Sequence, residues 1–436
     1  MLKKIKQIMN TEINKKNILK LLSKKNILYV LTFSILFLVQ FTTILINYLV
    51  KYGIIENVSS VNPAIVIYIC CPFLLGIYIY DIIKNKRKLD IFDYILIALF
   101  VAGLLCTVFA VEPKMSFWGS KYRHEGFVCV FSYYLLCMNW KVNASKEDVK
   151  KLIKLILFIG IINAIYAMLQ VYTNSTHILR YYMGRKMAVG FCGHHNFFGT
   201  LMVTCLGIMT CYLLTEKITL KNIIIYILFL ISLINCQSSG PIFTFIIMTV
   251  FLIIFYLIKK RLPLKKLIVV GILVLLVPGM YVATMYINKT SFDNGYCELC
   301  QIKQTIMTGG TGRIRIWTNT LDVVKDNWLV GVGYDNLHKV YNQDPTRIRI
   351  VDNAHNVYLH TLVSTGIIGF IPYMMLLVLA FIRGVKSKNK SMVILFSGFI
   401  AYSIQAFTNI NVIQIAPIYY VLIGLMLSIK EEKALE

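Results

Sequence analysis

Long apolar runs separated by short polar connections dominate the chain. Because about 20 apolar residues carry a helix across the hydrocarbon core of a bilayer, the pattern predicts an all-α integral membrane protein with about twelve transmembrane helices. The run 127–140 is short, and the stretch 222–258 is interrupted at 237–241, where Gly and Pro are typical of a break. A re-entrant break there would lower the count by one and invert the topology downstream. The runs lie at residues 27–49, 62–80, 91–110, 127–140, 152–172, 195–214, 222–236, 241–258, 267–286, 356–382, 391–407 and 412–429.

Composition excludes a soluble protein, since 58% of the 436 residues are hydrophobic and only 15% are charged. The first apolar run is longer than a signal-peptide core and lacks a small-residue cleavage site, so we expect an uncleaved first span. Most cysteines stand singly within apolar runs, as Cys106 and Cys205 do. That placement indicates small core residues rather than a disulfide framework.

The net charge of +25 is distributed in short basic clusters between the apolar runs, such as Lys84-Asn85-Lys86-Arg87-Lys88. Cytoplasmic loops hold the excess of Lys and Arg in membrane proteins, so the clusters predict both termini in the cytoplasm and no nucleic-acid partner. This assignment gives five parts. They are a basic cytoplasmic N-terminus (1–26), helices one to nine (27–286), a large extracytoplasmic loop (287–355), helices ten to twelve (356–429) and a cytoplasmic tail (430–436).

The extracytoplasmic loop 287–355 is too polar to span a membrane and is longer than any other connection. We therefore expect it to carry the functional site. Its segment Ile314–Val324 has apolar residues near helical spacing, which predicts a short amphipathic helix lying against the membrane surface.

Three motifs follow one another through this loop and into the next span: Gly309-Gly310-Thr311-Gly312-Arg313-Ile314-Arg315-Ile316-Trp317, then Gly331-Val332-Gly333, then Ala354-His355-Asn356 followed by Gly366-Ile367-Ile368-Gly369. Their order and spacing resemble the Wzy_C signature of the O-antigen ligase and O-antigen polymerase family. The upstream stretch 190–199, which contains His194-His195-Asn196, is similar to another family motif. The resemblance implies a GT-C-like, metal-independent glycosyltransferase without a cofactor, in the cytoplasmic membrane of a bacterium.

The activity implied by the resemblance moves a saccharide from a polyprenyl (undecaprenyl) diphosphate to a saccharide, lipid or protein acceptor at the outer face. Such a reaction needs cationic donors for the diphosphate, and Arg313 matches the family motif. It also needs a base for the acceptor hydroxyl, a role that fits His355, with Asn356 orienting it or capping the next helix. The alternatives are that Arg313 or Arg315 contacts lipid phosphates and that His355 is a structural interfacial residue.

Six residues are expected to bind substrate on the outer face: Arg123, Arg185, Arg315, Asn356, His195 and Trp317. Many family members carry Ser-Arg-Gly at the end of a mid-chain span, where this chain has Ser239 in place of the arginine. A hydroxyl does not replace a guanidinium charge. Either Arg123 or Arg185 supplies that charge, or the donor differs, or the protein is inactive.

The remaining motifs leave alternatives open. Cys297-Glu298-Leu299-Cys300 is a local disulfide, a pair of free thiols or, with ligands from elsewhere, half of a zinc site. Twelve spans also suit a secondary transporter or lipid flippase, but such a protein places ionisable residues within its spans. The Asn-, Ile- and Lys-rich composition suggests an AT-rich genome. In a Gram-positive host, which has no lipopolysaccharide acceptor, a polysaccharide polymerase working with other assembly proteins is favoured over a ligase.

Overall fold

The computed structural model describes residues 23–42, 62–173, 187–215, 218–259, 312–341 and 351–429, together with isolated positions at 45, 49, 54 and between 268 and 280 and the backbone of two short strands. Helices account for most of this part of the chain. Their bounds are α1 Lys24–Thr42, α2 Ile65–Ile83, α3 Ile91–Val108, α4 Pro113–Trp118, α5 Phe127–Asn143, α6 Lys146–Tyr172, α7 His195–Thr215, α8 Leu220–Asn235, α9 Ser239–Ile258, α10 Arg313–Asp326, α11 Leu337–Val340, α12 Val357–Lys386, α13 Lys390–Ala406 and α14 Ala416–Ser428. The strands β1 Tyr181–Tyr182 and β2 Arg185–Lys186 pair antiparallel.

Within these residues, seven helices are long and apolar enough to cross a membrane: α1, α2, α3, α6, α7, α9 and α12. The shorter apolar helices α8, α13 and α14 coincide with predicted spans. The helical, membrane-spanning class is thus confirmed, whereas the count of twelve stays a prediction. The expected break is present, because α8 ends at Asn235 and α9 begins at Ser239. Much of the predicted ninth span, 267–286, lies outside the described residues.

The centre of the molecule is built around α7, in which 89% of the best membrane window is buried. Small residues bring its backbone close to its neighbours, as is usual for helix contacts in lipid. A Cβ at Gly207 would lie 2.7 Å from the carbonyl oxygen of Ser397 on α13, and one at Gly199 would lie 2.5 Å from Pro241 on α9. The helix α5 is similarly enclosed, between α2 and α14.

The helix ends and connections form two opposite faces. We call the first the loop face; it contains residues 109–126, 187–194, 236–238, 312–341, 351–356 and 407–415. Contacts join these segments, for example from the Glu112 amide to Asn336 Oδ1 at 2.9 Å. The second, the lysine face, contains the ends of α1, α2, α5, α6, α12 and α13. It is held by ion pairs such as Arg87 with Asp93 at 2.6 Å and Lys25 with Asp148.

The helix α12 is broken one third of the way along, although the sequence predicts one continuous span there. Gly366 has φ +59 and ψ −170, so the helical hydrogen bonds are interrupted around it. Backbone groups of the segment 328–333 replace the missing helical hydrogen bonds. The amides of Val332 and Gly333 donate to the carbonyls of Val363 and Ser364, respectively, at 2.9 Å. The Ile367 amide donates to the Trp328 carbonyl at 2.8 Å. Irregular backbone of this kind is tolerated where protein covers it. The break therefore fixes the loop against the helix that follows His355.

The predicted amphipathic helix is α10, and it begins and ends close to the expected residues. Its buried residues Ile316, Thr320 and Val323 face the protein, and Val323 joins a small core with Val332 and Val363. The other side leaves Ile314 and Leu321 about half exposed. The helix is thus anchored to α12, and contact of its exposed side with the membrane stays a prediction.

Candidate functional site

A closed loop between α4 and α5 carries Arg123. Gly119 and Gly126 close it by a near contact of their backbones, since a Cβ on Gly126 would lie 2.2 Å from the Gly119 nitrogen. The Asp335 side chain holds the two ends of this loop together. Its Oδ2 accepts from the backbone amides of Ser120 at 2.8 Å and Glu125 at 3.1 Å. The residues that follow the Gly331-Val332-Gly333 motif thereby set the position of Arg123.

Arg123 makes a bidentate ion pair with Asp352, near the end of the outer loop. Nε lies 2.7 Å from Oδ2 and Nη2 lies 3.0 Å from Oδ1. Such paired hydrogen bonds fix the guanidinium in one plane. Burial alone would raise the pKa of Asp352, but the hydrogen bonds and charge of Arg123 bring it below the ordinary value. Asp352 therefore stays ionised and holds Arg123 near His355.

His355 lies in a tight turn directly before α12. Its φ of +51 is in the left-handed region, which costs energy for a residue other than glycine. The turn is held by the His355 amide, which donates to Asn353 Oδ1 at 3.1 Å, and Asn356 caps α12 by accepting from the Leu359 amide at 3.1 Å. The capping expected of Asn356 is present. Its role in binding substrate stays a prediction.

Arg313 is the first residue of α10 and follows Gly312, whose φ is +77. It is half-buried, whereas Arg315, two residues further along the helix, is exposed. No acidic side chain pairs with Arg313 among the described residues. The helix thus separates the two predicted arginines, and only Arg313 belongs to the cluster.

The charges of Arg313 and Arg123 both act on His355. The pKa of His355 falls to about 4 because of burial and then because of the positive charges of Arg313 and Arg123, with Asp352 acting in the opposite direction. His355 is therefore neutral at pH 7 and has a free lone pair to accept a proton. We refer to His355, Arg313, Arg123 and Asp352 as the site cluster.

The structure places the other predicted residues elsewhere. His195 begins α7, where its ring stacks on that of His194 with centroids 4.3 Å apart. Trp317 is half-buried on α10, and its indole nitrogen has no hydrogen-bond partner among the described residues. Arg185 lies in β2, but its side chain is outside the described part of the chain, as are Cys297 and Cys300.

Ser239, which stands in place of the family arginine, is exposed at the start of α9. The neighbouring Ser238 donates to Asn196 Oδ1. The start of α9 faces the end of α13 and the connection after it: Gln405 Oε1 accepts from Thr244 at 2.6 Å, and a Cβ on Gly240 would lie 3.4 Å from Thr408 Oγ1. That connection in turn contacts the helix after His355, where the Tyr358 ring packs on Phe407 at 4.6 Å. The break and the site cluster thus lie on either side of residues 403–408.

Sequence reasoning did not single out Asp352, which belongs to the site cluster, or His360 and Glu125, which lie near it. His360 and Glu125 line a cavity of about 40 Å³, room for one or two water molecules. Nδ1 of His360 and Oγ of Ser364 are buried at this cavity without a hydrogen-bond partner in the described structure. Burial, with the charge of Asp335 adding to it, raises the pKa of Glu125 to about 8. The local sequence contains no signal for this cavity, because its walls come from distant segments.

Seven helices long and apolar enough to cross a membrane, with a cationic, histidine-containing cluster on the loop face, define a polytopic membrane protein. Residues 224–374 match the family model Wzy_C, described as O-antigen ligase. These residues therefore form an O-antigen ligase (Wzy_C) domain, as the resemblance of the motifs predicted. The match includes Arg313 and His355, but it begins about 100 residues after Arg123. No curated protein matches the chain.

Proposed function

We propose that the site cluster transfers a saccharide from a polyprenyl diphosphate to an acceptor hydroxyl, and that the product is a cell-surface polysaccharide. The family match supports a ligase or polymerase activity in a membrane. The observation that carries the assignment to these residues is the convergence of Arg313, Arg123 and His355, from three distant segments, at the start of α12. A site for an anionic leaving group beside a base has this composition.

Arg313 is the proposed diphosphate ligand. Its charge has no acidic partner among the described residues, so an entering phosphate gains a full charge-assisted interaction. Arg123 already donates through Nε and Nη2 to Asp352, which leaves Nη1 for a phosphate oxygen. We propose that Arg123 supplies the charge missing at Ser239, since it belongs to the same cluster as Arg313.

His355 is the proposed base. As the acceptor oxygen bonds to the anomeric carbon, its proton passes to the neutral imidazole. The bond from that carbon to the donor diphosphate breaks, and its electron pair leaves with the diphosphate. The arginines stabilise the charge that develops there. Trp317 and the aromatic residues of the loop face are proposed to stack on saccharide rings.

The test replaces His355 with Ala and, separately, Arg313 with Ala, and compares polymer length with the amount of lipid-linked repeat unit. Loss of the base His355 should cost about 10²–10⁴-fold in rate, and loss of Arg313 removes a charge that stabilises the departing diphosphate. Both variants should therefore lose polymer and accumulate the lipid-linked unit. Lys325→Ala is the matched control, because Lys325 lies on α10 in an exposed pair with Asp322. Normal polymer in both variants at wild-type protein levels would refute the assignment. Accumulation of finished polymer on its lipid carrier instead would indicate a ligase.

A further inference from the structure

A large groove opens on the lysine face, at the opposite end of the helices from the site cluster. It lies between α6, α7, α8 and α13 and has a volume of about 610 Å³. Its lining changes character with depth. Lys150, Lys154 and Lys221 line the mouth, whereas Leu157, Phe158 and Ile161 line the part further along α6.

The dimensions fit a single leaflet of a bilayer. From Lys150 to Ile161 the helix rises by roughly 16 Å, at 1.5 Å per residue. That distance is about half of the 30 Å hydrocarbon core of a membrane. A molecule with its charged group at the mouth would therefore lay an apolar chain along α6 to about the middle of the bilayer.

The three lysines at the mouth have no acidic partner among the described residues, in contrast to their neighbours. Lys151 pairs with Glu147 at 2.8 Å, and Lys141 pairs with Asp90. The mouth thus holds three positive charges that nothing in the described structure neutralises. A basic pocket between apolar helices at a membrane surface favours an anionic headgroup.

Beside the mouth of the groove lies a second cavity that is lined by hydrogen-bonding side chains. This cavity, of about 440 Å³, shares Lys150 and Ser391 with the groove and adds Ser145, Asn389 and Ser428. Hydroxyl and amide side chains suit the polar substituent of a phospholipid headgroup, next to the phosphate. A free phosphate ion would leave both this cavity and the apolar part of the groove unused.

We propose that the groove binds an anionic phospholipid of the leaflet at the lysine face. The lipid phosphate lies among Lys150, Lys154 and Lys221, its headgroup extends toward Ser391, and one acyl chain packs on Leu157 and Phe158. This site is independent of the proposed function, because it lies at the other end of α6 and α7 from His355.

The experiment uses the full-length protein in nanodiscs or mild detergent and measures bound lipid by native mass spectrometry during titration with phosphatidylglycerol or phosphatidylcholine. Wild type should retain phosphatidylglycerol at least tenfold more tightly than phosphatidylcholine. The triple variant Lys150→Gln, Lys154→Gln, Lys221→Gln should lose this preference. The control triple Lys84→Gln, Lys86→Gln, Lys88→Gln removes the same charge from exposed positions on the same face and should keep it.

Three results would overturn the proposal. One is equal retention of both lipids by wild type. Another is an equal loss in the two triple variants, which would indicate general attraction to a basic face rather than a site. The last is full competition by millimolar inorganic phosphate, which would indicate a free anion as the ligand. As a second readout, phosphatidylglycerol should raise the melting temperature of wild type and of the control triple but not of the groove triple.

Discussion

At the scale of single residues, the pair of Arg123 and Asp352 accounts for the arrangement of the site cluster. The two side chains are each about a quarter exposed and meet through two hydrogen bonds. We expect a double-mutant cycle with Arg123→Ala and Asp352→Ala to give a coupling free energy of roughly 1–3 kcal/mol in thermal unfolding. Arg123→Lys should recover little of it, because an ammonium does not reproduce the planar fork. Additive single effects would show that the pair contributes nothing.

The low pKa of His355 leads to a prediction about pH. Burial and the charges of Arg313 and Arg123 hold this pKa near 4, below the ordinary value of about 6.5. The unfolded chain therefore binds a proton at His355 that the folded protein does not, between about pH 4 and 6.5. By linkage, His355 destabilises the fold as pH falls through this window and has no such effect above it.

The same charges determine how the reaction should depend on pH. A bound diphosphate neutralises Arg313 and adds negative charge, so the pKa of His355 should be higher in the donor complex than in the free enzyme. We expect the acidic limb of kcat to lie at higher pH than that of kcat/KM, in polymerisation assays from about pH 3 to about pH 8. Arg313→Gln should raise the limb of kcat/KM, since it removes a positive neighbour. Coincident limbs in wild type would contradict the role of His355 as base.

At the scale of elements, the broken helix α12 connects the loop motifs to the site. Gly366→Ala should be strongly destabilising: the φ of +59 disfavours alanine, and the added Cβ would lie 2.1 Å from the Leu329 carbonyl oxygen. We expect a loss of about 3 kcal/mol or more and a matching drop in melting temperature. Gly76→Ala in α2 is the control, because a Cβ there meets nothing within 4 Å. A melting temperature unchanged in Gly366→Ala would show that the break is not required.

The helix α10 illustrates what the sequence predicts well. The spacing of Ile316, Thr320 and Val323 is a local pattern, and it places both the helix and its buried face. The break at Gly366 is different, because a Gly within an apolar run also fits a continuous span. Only the pairing with residues 328–333 reveals it. Arg123 and Asp352 are 229 residues apart, and no local pattern carries the identity of so distant a partner.

At the scale of the whole molecule, hydropathy predicts which segments are helical and apolar, whereas the division into two faces comes from the packing of their ends. The site cluster, the closed loop around Asp335 and the break before Ser239 all lie on the loop face. The lysine face collects the basic clusters and the groove at Lys150. This division agrees with the orientation predicted from Lys and Arg, in which the lysine face lies in the cytoplasm.

That orientation predicts which positions a membrane-impermeant maleimide reaches. Tyr122 is 86% exposed at the tip of the closed loop, and Lys221 is exposed at the start of α8. In a variant with Cys297→Ser and Cys300→Ser, we expect Tyr122→Cys to react in intact cells and Lys221→Cys to react only after permeabilisation. Background labelling should be low, since the native cysteines of the described residues are buried or half-buried. Lys88→Cys should behave as Lys221→Cys does, because both lie on the lysine face. Labelling of Lys221→Cys in intact cells, with Tyr122→Cys protected, would show that the topology is the reverse of the predicted one. The site cluster would then lie in the cytoplasm, where it could not reach an acceptor outside the cell.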